Sequence, residues 1–478
     1  MLFSHIFINF ALALVQLFYQ TFIKMPNVIK LRKGLDICLQ GRAEEKKIQL
    51  KSNGKYALVP DDFEGVTPKV VVREGDKVKA GDALFVNKQY PEVRFASPVS
   101  GTVREVVRGE RRKVLCIRVD ADAQQEYVDF GRRDPGQLSA EQVINALLEA
   151  GLFGYICQLP YAVSTNPSVM PKAIFVSALR DKPLAADFQF EVKGQEEDFV
   201  TGLEALSRIA KTHLGLGIQP DLQAEIRQLG ADHFADIHIF DGKCPAGNVG
   251  VQVNHIDPVN KGEVVWTIGD PTVVLFIGRL FNSGKVNLKR TVALCGSEIK
   301  SPAYVDMLVG EELSTLLSNS YDARKSVRII NGNVLTGKPT TKEGYLGAHT
   351  SEITVIPEGN DADEFLGWIL PRLKQFSVNR SYFSWLLGNK QYALDARVKG
   401  GERHMIMSGE YDRVLPMDIY GEYLIKAIIA GDIDRQEALG IYEVSPEDFA
   451  LAEFVDSSKL ELQRIVREGL NILRKENA

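Results

Sequence analysis

The residues best suited to chemistry lie in one glycine-rich segment, Phe240-Asp-Gly-Lys-Cys-Pro-Ala-Gly-Asn-Val-Gly250, which runs on to Pro258. Residues 235–240 before it alternate in polarity and predict a strand. A strand that ends in a glycine-rich loop is where α/β proteins commonly bind ligands. The alternative is an ordinary domain junction with turn glycines. The candidate ligand or contact residues are Asp241, Gly242, Pro245, Gly247, Gly250 and His255.

Two side chains at the end of this segment, His255 and Asp257, could polarise a carbonyl oxygen. Ordinary turn capping by the same side chains is the alternative, and we prefer it. The sequence has no P-loop and no Gly-x-Ser-x-Gly nucleophile motif. The run Leu214-Gly-Leu-Gly-Ile-Gln219 lacks the third glycine of a dinucleotide fingerprint. We therefore predict no catalytic residue on this chain.

The sequence also predicts no metal site. No Cys-x-x-Cys pair occurs, which argues against a zinc site, an iron–sulfur cluster or a disulfide framework and favours free thiols. His233 and His238 are five residues apart, with His238 on the predicted strand, so we expect one core histidine and one surface histidine. The cysteines are Cys38, Cys116, Cys157, Cys244 and Cys295.

Length and charge limit the class of protein. The 478 residues suffice for three or four domains. The net charge is −5, without the basic surplus of a nucleic-acid-binding protein.

The first residues form a hydrophobic extension, 1–24, in which no Lys or Arg precedes the apolar run. It is long enough to span a bilayer but lacks the features of a secretory signal. We interpret it as the product of an upstream start, with Met25 as the biological start, and a membrane anchor is the alternative. The remaining chain has no long uncharged apolar stretch, so we expect its body to be soluble.

The elements that must position these residues begin with residues 25–125, which predict an all-β domain. Two apolar runs joined by Gly-Asp turns, 69–85, are followed by Ser97-Pro-Val-Ser-Gly-Thr-Val103. This pattern resembles the barrel-sandwich hybrid of biotinyl and lipoyl carrier domains. A carrier needs a modified lysine in a defined setting at a hairpin tip, and Lys88 lacks that setting. We expect Lys88 and the basic run 108–113 to be solvated surface charges.

Residues 126–258 predict an α/β unit. A polar linker, 126–138, precedes Ser139-Ala-Glu-Gln142, which predicts a helix start with a capping box. The apolar run 173–179 is typical of a parallel strand, and two helices should follow before the strand at 235–240.

Residues 259–345 and 346–478 predict two further domains. Asn331-Gly332 between apolar runs predicts a hairpin, and one short helix at 310–317 among several strands suggests a β-grasp module. Ser445-Pro-Glu-Asp448 predicts a helix start in a largely helical C-terminal domain. The fold class is therefore α+β multidomain.

Many separate motifs, in order, resemble the NqrA family of the Na⁺-translocating NADH:quinone reductase. The resemblance begins near residue 25, includes the loop at 240–250, and reaches almost to the C-terminus. It implies a barrel-sandwich hybrid, a Rossmann-like α/β unit, a β-grasp (SLBB-like) module and a helical domain. The other matching stretches are Ala173–Val176, Pro183–Ala186, Val264–Trp266, Gly278–Phe281, Gly344–Gly347, Phe365–Trp368, Phe376–Ser381, Leu415–Asp418 and Ala430–Asp432.

The resemblance implies a function that the residues alone do not. Such a chain is a peripheral member of an enzyme complex on the cytoplasmic face of the bacterial inner membrane, with five partner subunits that include hydrophobic membrane proteins. The complex uses NADH, FAD, FMN, riboflavin, an iron–sulfur centre, quinone and Na⁺. The family is similar in architecture to the flavin subunit of respiratory complex I.

Departures from the flavin-binding relatives predict that this chain binds no redox cofactor. Bulky Leu152, Phe153 and Tyr155 stand where those relatives have a glycine-rich flavin loop. Cluster cysteines and the Ser-Gly-Ala-Thr flavin attachment motif are absent. The central loop reads Lys243-Cys244 where the family has Pro-His, so no role of that histidine can be transferred.

Two alternatives of different kinds stay open. A stand-alone soluble NAD(P)H:quinone oxidoreductase would bind nicotinamide through residues 126–258. A pure assembly scaffold would never contact quinone. The leading hypothesis is a redox-silent subunit that supports quinone reduction through assembly, with the loop at 240–258 shaping a pocket or a subunit contact.

Overall fold

The computed structural model describes residues 27–360, 370–388 and 390–477. The hydrophobic extension 1–24 and the motif Phe365–Trp368 lie outside these residues. Within them, no helix has the length and apolar character needed to cross a membrane.

The strands of the described residues are numbered in chain order. They are β1 (Asn27–Lys30), β2 (Glu44–Ile48), β3 (Lys55–Leu58), β4 (Pro68–Val70), β5 (Lys77–Val78), β6 (Ala83–Asn87), β7 (Arg94–Ala96), β8 (Gly101–Arg108), β9 (Val114–Ala121), β10 (Cys157–Leu159), β11 (Val163–Ser164), β12 (Ile174–Ser177), β13 (Thr212–Leu216), β14 (Asp236–Asp241), β15 (Val265–Ile268), β16 (Lys289–Cys295), β17 (Ala303–Leu308), β18 (Val327–Asn331), β19 (Lys338–Thr340) and β20 (Glu352–Pro357).

The α-helices are numbered in the same way. They are α1 (Ala140–Glu149), α2 (Phe188–Val192), α3 (Glu196–Ile209), α4 (Pro220–Gln228), α5 (Ala231–Phe234), α6 (Val249–Ile256), α7 (Thr272–Ser283), α8 (Ser314–Leu317), α9 (Tyr411–Val414), α10 (Gly421–Ala430), α11 (Ile433–Ala438), α12 (Ala450–Val455) and α13 (Leu462–Glu476).

The N-terminal β domain consists of two small antiparallel sheets, β3-β9-β8-β5 and β4-β6-β7. Phe85 and Phe95 stack in its core with ring centroids 4.5 Å apart. Lys88 is exposed directly after β6, and the basic run at 108–113 forms the exposed end of the β8–β9 hairpin. These positions agree with the surface charges that the sequence predicts.

The α/β unit is built on a seven-stranded sheet in the order β1-β14-β13-β12-β15-β10-β11. The five strands from β1 to β15 in this order are parallel, as predicted for the buried run at 173–179. The capping box also forms, because Ser139 Oγ accepts a bond from Gln142 N (3.3 Å) and Gln142 Oε1 accepts one from Ser139 N (2.9 Å).

This sheet crosses the predicted boundaries at 125 and 258. Strand β1, expected in the barrel, pairs with β14, and β15, expected in the β-grasp module, lies inside the sheet. Helix α7 packs against α3 of the same unit. The unit therefore extends beyond residue 258, since strand pairing depends on distant segments that local patterns do not identify.

A fourth sheet has six strands in the order β19-β18-β20-β16-β17-β2 and carries the short helix α8. Strand β2 from the N-terminal region completes its edge against β17. The hairpin predicted at Asn331-Gly332 exists, but its connection runs from 332 to 337, so it is not the expected two-residue turn.

The C-terminal helices α9–α13 share a core with other parts of the chain. Ile37, Cys244 and Val251 are buried in the same cluster as Leu424 and Leu470. The predicted helix start at Ser445 forms a capping box with Asp448, beginning as a 3₁₀ turn (Pro446–Phe449) that leads into α12. The N-terminal segment and the glycine-rich loop are therefore structural parts of the C-terminal core.

Candidate functional site

A cavity of about 570 Å³ opens where four parts of the chain meet, and we call it the central cavity. The β domain contributes Phe63, the α/β unit Tyr155 and Lys182, the six-stranded sheet with its flanking loop His349, and the C-terminal helices Arg467. These side chains come from positions up to about 400 residues apart in the sequence. No local motif could have predicted their meeting.

Two of the six predicted loop residues reach this cavity and four lie outside it. Gly247 and Gly250 line the central cavity, whereas Asp241, Gly242, Pro245 and His255 do not. The strand before the loop forms as expected, but the loop ends sooner than predicted because α6 begins at Val249. Gly250 and His255 are therefore helical residues.

His255 and Asp257 do not converge on a ligand position. His255 Nε2 lies 2.7 Å from the carbonyl oxygen of Pro416, and Asp257 forms an ion pair with Lys172 at 2.8 Å. His255 thus joins helix α6 to the C-terminal domain. Both contacts join structural elements, and neither is the turn capping that the sequence suggested.

The loop glycines allow the chain to approach itself closely. A Cβ on Gly247 would lie 2.4 Å from the carbonyl oxygen of Leu179, and one on Gly250 would lie 2.4 Å from Asp448 Oδ2. Both distances are far below van der Waals contact, so a side chain at either position requires movement of the neighbouring segment. The glycine pattern that suggested a ligand is explained by packing.

Hydrogen bonds fix the loop between the sheet and the C-terminal domain. Gly247 N donates to Asp181 Oδ2 (2.8 Å), and Ser177 Oγ donates to the Gly247 carbonyl (2.7 Å). Asn248 Nδ2 donates to Asp448 Oδ1 (3.1 Å). Burial raises the pKa of Asp181 to about 6 and that of Asp448 to about 6, since both carboxyls have little contact with water.

The cationic groups at the cavity are already paired with carboxylates. Arg180 contacts Glu191 and Asp270, each at 2.9 Å, and Lys182 contacts Glu447 at 2.8 Å. A phosphate entering the cavity would have to compete with these buried ion pairs. The electrostatics therefore favour a ligand without a strong negative charge.

Three backbone amides of the segment in the place of a flavin loop are occupied by hydrogen bonds within the segment and to the preceding helix. Leu152 N donates to the Leu147 carbonyl (3.0 Å), Tyr155 N to that of Leu152 (3.1 Å) and Ile156 N to that of Phe153 (3.1 Å). A phosphate cradle needs backbone amides directed at the ligand. These three amides are not directed at a ligand.

Three rings and one buried hydroxyl group lie among the mostly polar and charged residues that line the cavity. Tyr155 packs edge-on against Phe63 (5.0 Å between centroids) and near His349 (5.5 Å). The Tyr155 hydroxyl is buried without a hydrogen-bond partner among the described residues, and burial strongly raises its pKa, so it stays protonated. A flat polar ring would find apolar contacts and a donor here.

Sequence reasoning missed one histidine pair. His213 Nδ1 and His238 Nε2 lie 3.0 Å apart on adjacent strands, and Phe175 stacks on His213 at 4.8 Å. The pairing of β13 with β14 brings them together, and only that register could have revealed it. His233 is exposed and takes no part. Within the described ranges, no group of His, Cys, Asp and Glu residues could hold a metal ion.

Matches to three family models define the class of protein. Residues 29–122 match the NqrA N-terminal barrel-sandwich hybrid domain, residues 138–286 the NqrA second alpha/beta domain, and residues 291–342 the NQRA C-terminal domain. The second range includes β15 and α7, in agreement with the observed sheet.

Curated relatives identify the particular family. The NqrA subunit of the Na(+)-translocating NADH-quinone reductase of Serratia proteamaculans (strain 568) is 35% identical over 462 residues, covering 94% of this chain and 100% of that relative. The corresponding protein of Haemophilus influenzae (strain 86-028NP) is 35% identical over 458 residues with the same coverage. The chain belongs to the family of NqrA subunits of the Na⁺-translocating NADH-quinone reductase.

One solved structure is similar over a large part of the chain. It is an NAD⁺-reducing [NiFe]-hydrogenase, with 11% identity, 72% coverage of this chain, 62% coverage of that chain and a TM-score of 0.38. A TM-score this low supports no inference about the present chain.

Proposed function

We propose that this chain is a peripheral subunit of a Na⁺-translocating NADH:quinone reductase and supports quinone reduction coupled to sodium export. The observation that carries the proposal is the match to curated NqrA proteins along their whole length. The partners would be five other subunits, including hydrophobic membrane proteins, at the cytoplasmic face of the bacterial inner membrane.

The finer fold assignment belongs to the same proposal. The α/β unit is Rossmann-like, the six-stranded sheet with α8 is the β-grasp (SLBB-like) module, and α9–α13 form the helical domain. The parallel strand order supports the first assignment, and the buried cluster around Leu424 supports the last.

A gene deletion tests the role in the complex. Membranes that lack this chain should lose Na⁺-stimulated quinone reduction by NADH, and a plasmid copy should restore it. Full Na⁺-stimulated activity without the chain would contradict the proposal.

We further propose that the chain holds no redox cofactor, while NADH, FAD, FMN, riboflavin and the iron–sulfur centre belong to other subunits. The occupied amides of Leu152, Tyr155 and Ile156 and the paired cavity cations support this. Chain purified from its native complex should show no flavin or iron–sulfur absorbance. A stoichiometric absorbance band of either kind would refute this part.

The central cavity is the proposed place of a quinone contact. A quinone head group is flat, uncharged and able to accept a hydrogen bond from the Tyr155 hydroxyl, which matches the lining described above. In the assembled complex, a photoreactive quinone should label cavity peptides. Tyr155→Phe, which removes the hydroxyl but keeps the ring, should weaken labelling severalfold.

A matched control and the alternatives complete this design. Tyr423→Phe removes an exposed hydroxyl on α10 and should leave labelling unchanged. Absence of any labelling would favour the assembly scaffold instead. Saturable binding of NADH by the chain outside the complex would favour the stand-alone oxidoreductase.

A further inference from the structure

An unusual surface lies on the segment before the C-terminal helices. A 3₁₀ turn (Phe383–Leu387) exposes four large apolar side chains in succession around the buried Ser384. The exposed fractions are 57% for Phe383, 45% for Trp385, 63% for Leu386 and 47% for Leu387. We call these four residues the Trp385 surface. Exposed apolar groups at this density mark an interaction site.

The turn is held to the body of the protein. Ser384 is fully buried, and Tyr382 N donates to Ser377 Oγ (3.1 Å). Nearby, Phe376 packs edge-on against Tyr392 (5.5 Å) and near Phe454 of α12 (6.0 Å). The segment that leads into the turn is therefore packed against the C-terminal domain.

The sequence around the Trp385 surface is basic, although the whole chain is acidic. Residues 370–410 contain seven Lys and Arg but three Asp and Glu, although the whole chain has 57 basic and 62 acidic residues. The Arg380 guanidinium lies 5.1 Å from the Trp385 ring centroid. Lys374 and Arg380 are exposed. Positive charge thus directly borders the apolar residues.

We propose that the Trp385 surface docks on an anionic lipid bilayer. Phe, Trp and Leu side chains insert at the boundary between headgroups and acyl chains, while adjacent Lys and Arg attract lipid phosphates. Aromatic residues with neighbouring basic groups are typical of the membrane interface. A protein partner is the competing occupant, and the experiments below separate it from the bilayer. The docking requires neither quinone nor the other subunits.

Vesicle sedimentation of the full chain tests the apolar part. The chain should bind vesicles of phosphatidylcholine mixed with phosphatidylglycerol and bind vesicles of phosphatidylcholine alone more weakly. Trp385→Ser combined with Leu386→Ser should lower binding to the anionic vesicles by about tenfold or more, since two large apolar groups are lost. Tyr423→Ser with Ile429→Ser, exposed to 58% and 57% on α10, is the matched control and should bind normally.

Charge reversal tests the electrostatic part. Lys374→Glu with Arg380→Glu should abolish the preference for anionic vesicles, and added salt should weaken binding of the unmodified chain. Arg111→Glu with Arg112→Glu changes the net charge by the same amount at the exposed end of the β8–β9 hairpin, distant in sequence from the Trp385 surface. This variant should retain the preference for anionic vesicles. All replaced side chains are exposed, so thermal unfolding should stay unchanged.

Equal vesicle binding by all variants, or none by the unmodified chain, would overturn the proposal. If the serine variant binds vesicles normally but no longer copurifies with the membrane subunits in detergent, the surface contacts a protein and the lipid assignment is wrong. Quinone reduction by the complex is measured separately, so a failure of the lipid contact and a failure of the proposed function are distinguishable.

Discussion

At the scale of single residues, Asp270 connects two domains through buried charges. Its carboxylate contacts Arg290 of β16 at 2.8 Å and Arg180 of the α/β unit at 2.9 Å. Burial alone would raise the pKa of Asp270, but Arg290 and Arg180 outweigh it and lower the pKa to about 2. The contribution to stability is therefore complete at neutral pH and is lost only as the pH falls towards 2.

Replacing this carboxylate should be costly. Asp270→Asn leaves two buried guanidinium groups without their shared charge, and we expect the free energy of unfolding to fall by about 3–5 kcal/mol in denaturant titrations. Asp122→Asn is the control, because it removes an exposed ion pair with Lys77 (3.1 Å) and should cost about 0.5 kcal/mol or less. Equal losses of stability in the two variants would show that the buried network contributes no more to stability than an exposed ion pair.

The buried histidine pair should make stability depend on pH. Burial, and next the neighbouring His238, lower the pKa of His213 from 6.5 to about 4. As the pH falls below 6.5, His213 becomes protonated in the unfolded chain but stays neutral in the folded chain. The free energy of unfolding therefore declines until about pH 4. His213→Gln keeps a hydrogen-bonding side chain but cannot titrate.

Denaturant titrations at about pH 7 and about pH 5 give the free energy of unfolding at each pH. Its decrease between the two should be about 1–2 kcal/mol smaller in His213→Gln than in the unmodified chain. The exposed His233→Gln should leave the pH dependence as it was. An identical pH dependence in all three proteins would rule out this role of His213.

At the scale of elements, helix α6 depends on a glycine that faces the C-terminal domain. Gly250→Ala places a Cβ 2.4 Å from Asp448 Oδ2. Alanine favours a helix by about 0.5–1 kcal/mol, yet overpacking typically costs about 1–3 kcal/mol, so we expect a net loss of stability. Gly401→Ala, in open space, should be neutral. Denaturant titrations give the free energy of unfolding of both variants. A Gly250→Ala protein that is more stable than the unmodified chain would contradict the packing explanation.

Elements with strong local signals could be predicted from the sequence. The capping box predicted at Ser139 and the helix start predicted at Ser445 both form, because capping involves residues only three positions apart. The strand before the central loop also forms as predicted, within one residue at its ends.

Elements whose place depends on distant partners could not be predicted. Val265–Ile268 lies in the α/β sheet only because it pairs with β12 and β10, and its sequence fits any buried sheet. The central cavity is formed by four separate segments. The loop pattern indicates only two of its residues, Gly247 and Gly250. The sequence singles out Tyr155 as a residue that leaves little room for a flavin, without indicating that it lines a cavity. The spacing of apolar residues indicates which side of a strand is buried, but it does not indicate which strand lies beside it.

At the scale of the whole molecule, residues 27–40 tie the α/β sheet to the C-terminal helices. Strand β1 extends the sheet, and Leu31 N donates to the Asp241 carbonyl (2.8 Å). Leu35 N then donates to the Cys244 carbonyl (2.8 Å), and Tyr392 N donates to the Cys38 carbonyl (2.9 Å). Ile37, only 5% exposed, inserts into the C-terminal core.

Truncating that side chain should loosen one domain and spare another. Ile37→Ala leaves a cavity in the shared core, so we expect a loss of about 2–4 kcal/mol and faster amide hydrogen exchange in α10 and α13. Exchange in strands β8 and β9 should stay the same, because the β domain has a separate part of the core. Val28→Ala in β1 is the control, since Val28 is 49% exposed and should change stability by about 0.5 kcal/mol. If exchange instead rises throughout the chain, the segment stabilises the whole fold cooperatively; if it does not rise in α10 and α13, the segment does not stabilise the C-terminal domain.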